Sequence, residues 1–184
     1  MKANDLRPGV ALEVNGKLYV VMKTDHVKPG KGPAYMQVKM RAVDGSGTAE
    51  KRFGGADQVD ATTLDRRSME FLYADGSGGG TFMDTDTYDQ TDLNPAVLGD
   101  ALKFLAPNTT CQVLFHGEAP LLVELPAAVE VTVSDTAPGI KGASPNQLKE
   151  AVCDTGLKTQ VPPFITTGER IKVSTDDGSY LSRV

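Results

Sequence analysis

The sequence predicts an all-β chain of three small β-barrels, an SH3-like barrel followed by two OB-fold barrels. Three observations carry this. Short runs of alternating or β-branched residues recur along all 184 residues. Gly (19) and Pro (11) separate these runs as turns. Helical periodicity shows in one stretch only. Hydrophobic residues make up 40%, enough for buried cores, although aromatics are only 6% and Trp is absent.

Residues 1–62 read as the SH3-like barrel. Runs at 10–14 and 17–22 flank Asn15-Gly16, a strong short hairpin signal. Residues 34–43 alternate for most of their length. After the turn Asp44-Gly45-Ser46-Gly47, residues 50–53 form the next strand.

Residues 63–126 read as the first OB-fold barrel. Strands are expected at 67–73 and 81–84, joined by a loose, flexible turn over Asp75-Gly76-Ser77-Gly78-Gly79-Gly80. A helix is expected from Pro95 to about Leu105. Asn94 is its candidate N-cap, and Val97, Leu98, Ala101, Leu102 and Leu105 share one apolar face. Strands at 112–115 and 121–125 follow. Residues 127–184 read as the second OB-fold barrel. It has an alternating strand at 129–134, a long turn-rich loop from Ala137 to about Lys149, and strands at 158–161, 170–174 and 179–182.

Net charge is −5, and it is polarised. Residues 1–62 carry ten Lys/Arg against seven Asp/Glu, residues 63–126 three against ten, and residues 127–184 six against seven. A basic first third can orient a protein on a polyanion even when the total is negative. No apolar run approaches the ~20 residues of a membrane span, and the start lacks a signal-peptide stretch. Cys111 and Cys153 match no ligand spacing and are expected to be reduced and buried. The expectation is a cytoplasmic, monomeric protein.

The sequence contains no catalytic constellation and no cofactor or metal motif. His26 and His116 fall in different predicted barrels without partners at ligand spacing. Asp84-Thr85-Asp86-Thr87-Tyr88-Asp89 lacks the glycine and terminal Glu of a calcium loop and reads as a solvated acidic turn. Gly76 to Gly80 has no following Lys-Ser/Thr and is no phosphate loop.

Lys28-Pro29-Gly30-Lys31-Gly32-Pro33 differs from these. Glycines on both sides of Lys31 permit the positive φ of a tight reversal, and prolines beyond them stiffen it. Neither neighbour gives Lys31 a side chain to pack on. The segment presents one extended ammonium group.

Lys28 to Gly32, followed by Ala34-Tyr35, resembles the loop of the bacterial elongation factor P family. The likeness extends along the whole chain, through Asn4-Asp5-Leu6-Arg7-Pro8-Gly9, Asn15-Gly16-Lys17 and Met83-Asp84. It continues through Asp135-Thr136-Ala137-Pro138-Gly139-Ile140-Lys141-Gly142, Gln160-Val161-Pro162, Gly168-Glu169-Arg170-Ile171-Lys172-Val173 and Gly178-Ser179-Tyr180-Leu181-Ser182-Arg183.

The resemblance implies a KOW-like first barrel and an L-shaped arrangement of the three. It implies a non-enzymatic translation elongation factor that binds the ribosome, touching rRNA and the P-site peptidyl-tRNA where synthesis stalls at consecutive prolines. Lys31 is then the residue that a lysine-modifying enzyme extends, and Lys28, Pro29, Gly30, Gly32 and Pro33 form the loop entering the peptidyl-transferase centre. Gly139, Lys141, Gly142, Tyr180 and Arg183 become the C-terminal contacts to ribosome or tRNA. No membrane partner is implied.

Two departures stand out. Residues 143–151 are shorter and poorer in glycine than in many members, and Thr159 replaces an aliphatic residue. The alternatives are the family's elongation factor P-like paralogue, towards which Gly142-Ala143-Ser144 points, and a generic OB-fold nucleic-acid binder. The second lacks the expected aromatic platforms and basic groove.

Overall fold

The computed structural model describes residues 1–140, 142–144 and 146–184. Its described regular structure is almost entirely β, in three five-stranded sheets. The first contains β1 (Ala11–Val14), β2 (Lys17–Val27), β3 (Tyr35–Ala42), β4 (Thr48–Gly54) and β5 (Asp60–Thr62), in the order β4-β3-β2-β1-β5. Asn15 and Gly16 both take positive φ, 52° and 74°, as the two-residue hairpin between β1 and β2 requires. Alternation along β3 puts Met36, Val38, Met40 and Ala42 inside and the residues between them outside. Leu6, Leu12 and Val21 complete this core.

The second sheet contains β6 (Asp65–Ala74), β7 (Gly80–Asp84), β8 (Gln90–Leu93), β9 (Thr110–His116) and β10 (Ala119–Glu124), in the order β10-β9-β6-β7-β8. Phe71 and Phe82 pack in it as a tilted ring pair with centroids 5.2 Å apart. The third contains β11 (Ala128–Thr136), β12 (Lys149–Cys153), β13 (Lys158–Val161), β14 (Arg170–Ser174) and β15 (Tyr180–Arg183), in the order β13-β12-β11-β14-β15. Its core gathers Val131, Val133, Val161, Ile165, Ile171 and Val173.

By compactness the chain divides into two units. One comprises residues 1–66 with 114–122, the other residues 67–113 with 123–184. In the first, Leu114 is fully buried in a second apolar cluster with Ala11, Val20 and Leu64. In the second, Phe104 packs against the core of the third sheet, and the Thr155 hydroxyl donates to the Lys103 carbonyl at 2.6 Å.

Several expectations need correction. The helix from Pro95 to about Leu105 is a single turn, α1 (Pro95–Leu98), followed by a separate 3₁₀ turn over Ala101–Lys103. Asn94 does cap it, accepting from the Val97 N–H at 3.0 Å. Gly99, at φ 53°, ends it, yet Val97, Leu98, Ala101 and Leu105 are all buried. Burial of both short pieces on one side preserved the apolar periodicity that suggested a continuous helix.

The loose turn at 75–80 is ordered instead. The Asp75 carboxylate accepts from the Ser77 N–H, the Ser77 hydroxyl and the Gly79 N–H. A Cβ on Gly79 would lie 2.7 Å from the Leu93 carbonyl oxygen, so close backbone approach accounts for that glycine. Strands β5, β8 and β12 were not expected; the expected loop ended at about Lys149, and residues 150–153 were given no element. Three to five residues with little alternation give a weak strand signal.

Candidate functional site: a bare cationic hairpin loop

The loop is built by the longest hairpin of the first sheet. β2 pairs antiparallel with β3 from Tyr19↔Ala42 to the closing pair Val27↔Tyr35, with a register shift between Val21 and Lys23. Residues 28–34 form the connection, and every one is exposed. Gly32 takes φ +107°, the left-handed conformation a glycine supplies at no steric cost. Gly30 does not take positive φ, contrary to expectation. Around it a Cβ would meet nothing within 4 Å. Gly30 therefore keeps the backbone beside Lys31 slim without serving the turn.

No hydrogen bond or ion pair ties Lys28 or Lys31 to another described residue. The stem below them is paired strand on both sides of β3. Arg52 stacks on the Tyr35 ring at 5.1 Å, and Lys51 on the Phe53 ring at 5.2 Å. On the outward face of β2, β3 and β4 lie Lys23, Lys39, Arg41 and Arg52, against Asp25 and Glu50. Asp25 is engaged by Lys23 at 3.2 Å, and Glu50 accepts from Gln37 at 3.1 Å. With Lys28 and Lys31 above, this side of the hairpin is distinctly positive.

The other candidate residues belong to the C-terminal sheet and its loops. Gly139 is held close to a neighbouring turn, where an added Cβ would lie 3.3 Å from the Pro163 carbonyl oxygen. Gly142 takes φ +80° and is exposed. Lys141 lies outside the described residues. Tyr180 is half-buried and packs on the C-terminal core, so its ring is structural. Arg183 is exposed, donates to Glu169 at 2.6 Å and stacks on the Phe164 ring at 5.8 Å. Both Gly139 and Arg183 thus lie against the turn spanning residues 163–169. Sequence reading missed Phe164, whose signal was an aromatic directly after Pro162-Pro163, and gave Glu169 no role although it fell in the matched run 168–173.

Nothing among the described residues clusters His, Cys, Asp or Glu for a metal ion. Both cysteines are free and buried. Burial pushes the Cys111 thiol up to about 12, and burial with the Asp154 charge pushes Cys153 to about 11, so neither is a nucleophile at neutral pH. Among the described residues, no helix is long and apolar enough to cross a membrane.

Three small β-sheet modules and a presented lysine loop define a modular all-β protein with an exposed cationic hairpin. Three family models match in order: the elongation factor P KOW-like domain over residues 2–59, the elongation factor P OB domain over residues 64–123, and the elongation factor P C-terminal domain over residues 129–183. The chain belongs to the elongation factor P family.

It is 45% identical to elongation factor P of Acidothermus cellulolyticus over 98% of this chain and 96% of that protein. It is 44% identical to the Corynebacterium diphtheriae protein of the same name, over 98% and 96%. Among solved structures it is similar to eukaryotic translation initiation factor 5A from Methanococcus jannaschii. That match has 19% identity, covers 68% of this chain and 90% of that one, and has a TM-score of 0.47.

Proposed function

We propose that this chain binds the ribosome beside the P-site tRNA and promotes peptide-bond formation at consecutive prolines. In this reading its three working modules are residues 1–62, 63–126 and 127–184, and it acts as a cytoplasmic monomer without cofactors. The observation that carries the proposal is the bare loop, where Lys31 extends from a slim backbone without a hydrogen-bond or ion-pair partner among the described residues. A prolyl acceptor or donor reacts slowly because its ring restricts approach. A factor that holds the tRNA end in a productive pose contributes orientation, with no proton transfer of its own.

An ammonium on a long stem reaches RNA phosphates and hydroxyls, and the positive hairpin face continues that attraction down the stem. Gly30 and Gly32 let the backbone follow Lys31 into a narrow, RNA-lined channel. The same exposure leaves Lys31 open to a modifying enzyme that would lengthen its reach. Arg183 and the loop containing Gly139 and Gly142 supply further RNA contacts in the C-terminal module.

Replacing Lys31 by Ala tests this. Synthesis through a Pro-Pro-Pro reporter should fall to the level seen without the factor, while thermal unfolding stays unchanged because no described contact is lost. Undiminished reporter synthesis would overturn the proposal.

A further inference from the structure

Among the described residues of the C-terminal module, Arg183 is an exposed cation held by both a carboxylate and an aromatic ring. The Arg183 guanidinium donates through Nη2 to Glu169 Oε1 at 2.6 Å, and its carbon lies 5.8 Å from the centre of the Phe164 ring. Glu169 is itself fixed. Its Oε2 accepts from the Thr166 N–H at 3.0 Å, its own N–H donates to the Thr166 carbonyl, and its side chain is only 23% exposed. Arg183 nevertheless keeps a side-chain exposure of 55%, and Phe164 is 49% exposed.

We infer that Phe164 and Glu169 are positioning residues that set the Arg183 guanidinium in one orientation for an RNA phosphate. This rests on the RNA-contact role proposed above for Arg183. A guanidinium carries five N–H donors in a planar fork, of which a single one is used here. Glu169 fixes one corner of the fork and Phe164 supports one face, leaving the opposite face and the remaining donors to solvent. That geometry suits bidentate recognition of a phosphate, which needs a defined plane. Exposed ion pairs contribute little to stability, so orientation is the more useful product of this arrangement. An Arg free to sample its rotamers would lose more conformational entropy on binding.

The sign of one substitution separates positioning from simple charge attraction. Glu169→Gln removes a negative charge beside Arg183, so attraction alone predicts tighter binding to RNA. Positioning predicts weaker binding, because a single amide oxygen cannot accept from both the Thr166 N–H and the guanidinium, and the charged anchor of the fork is lost. The assay is the rate of peptide-bond formation on 70S ribosomes stalled at Pro-Pro, measured against factor concentration.

Arg183→Ala, Glu169→Gln and Phe164→Ala should each raise the half-maximal concentration, by roughly tenfold for Arg183→Ala as for loss of a charge-assisted contact. The maximal rate should be unchanged because the Lys31 loop is untouched. Phe164→Tyr, which keeps the ring, should remain near wild type. Phe164→Ala added to Arg183→Ala should cost nothing further.

Tighter or unaltered half-saturation in Glu169→Gln, or an additive double variant, would overturn the inference while leaving the function above intact. If Arg183→Ala itself changed nothing, the inference would fall together with the assigned role of Arg183. Loss of the Lys31→Ala phenotype is the separate result that would bring down the function. Thermal unfolding of each variant controls for misfolding.

Discussion

Thr159 is a polar residue in a β-barrel core, at 7% exposure, and its environment explains how it is tolerated. Its hydroxyl donates to the Gly178 carbonyl at 2.7 Å, joining β13 to the turn before β15. Thr159→Val keeps the shape but leaves that buried carbonyl without this partner. We expect a loss of about 1 kcal/mol in urea-induced unfolding. Sequence reading identified Thr159 as unusual, but the acceptor lies nineteen residues away and only the fold brings the two together. Lys31 was legible for the opposite reason. Its setting is local, made by glycines and prolines next to it in the chain, and no distant residue contributes to its exposure. Arg183 lies between these cases. The residue itself was legible, whereas its contacts with Glu169, fourteen positions upstream, and with Phe164 beyond it were not.

Hairpin turns in this chain are repeatedly closed by an aspartate. Asp84 ends β7 and accepts from the N–H groups of Asp86 and Thr87, at 2.8 and 3.1 Å. These bonds hold its carboxyl below the ordinary value of 3.8. A native pKa lower than the unfolded one contributes stability above pH 3.8, and that contribution is lost as pH falls through the depressed native value. Asp75 and Asp177 behave alike, chiefly through the hydroxyls of Ser77 and Ser179. Asp84→Asn should therefore flatten part of the acid limb of a stability-versus-pH curve and leave its slope at neutral pH unchanged. The acidic run 84–89 had been read as a solvated loop, and most of it is exposed. Its first member is a buried turn closure, and Tyr88 takes φ 64° to complete it. Strong two-residue turns such as Asn15-Gly16 could be read from residue type. Turns closed by a side chain reaching two or three residues forward were harder to see, and so was the interruption of the helix at Gly99.

The all-β class followed from composition and punctuation, since every sheet repeats the same short strands and tight turns. Packing between modules did not, because it depends on single apolar residues in connecting segments. Phe104 sits just after the 3₁₀ turn of the second sheet's connection and packs against the core of the third sheet, near Leu157 and Gly178. Phe104→Ala should lower the stability of this unit by about 2 kcal/mol, less than for a fully buried ring. Calorimetry of the variant and the native protein should then show the transition of this unit moved to lower temperature.

The first unit has a different dependence. Its cluster around Ala11, Val20 and Leu64 is completed by Leu114, with Leu121 and Leu122 packed against it. A chain made from its N-terminus delivers the first sheet long before that cover. At about 5–20 residues per second, the interval between Arg66 and Leu114 lasts roughly 2–10 s. For that time the newborn first sheet carries an uncapped oily edge. Completion of this factor is thus a matter of timing as well as geometry, and the nascent chain is open to chaperones and to misassociation until its middle has been synthesised.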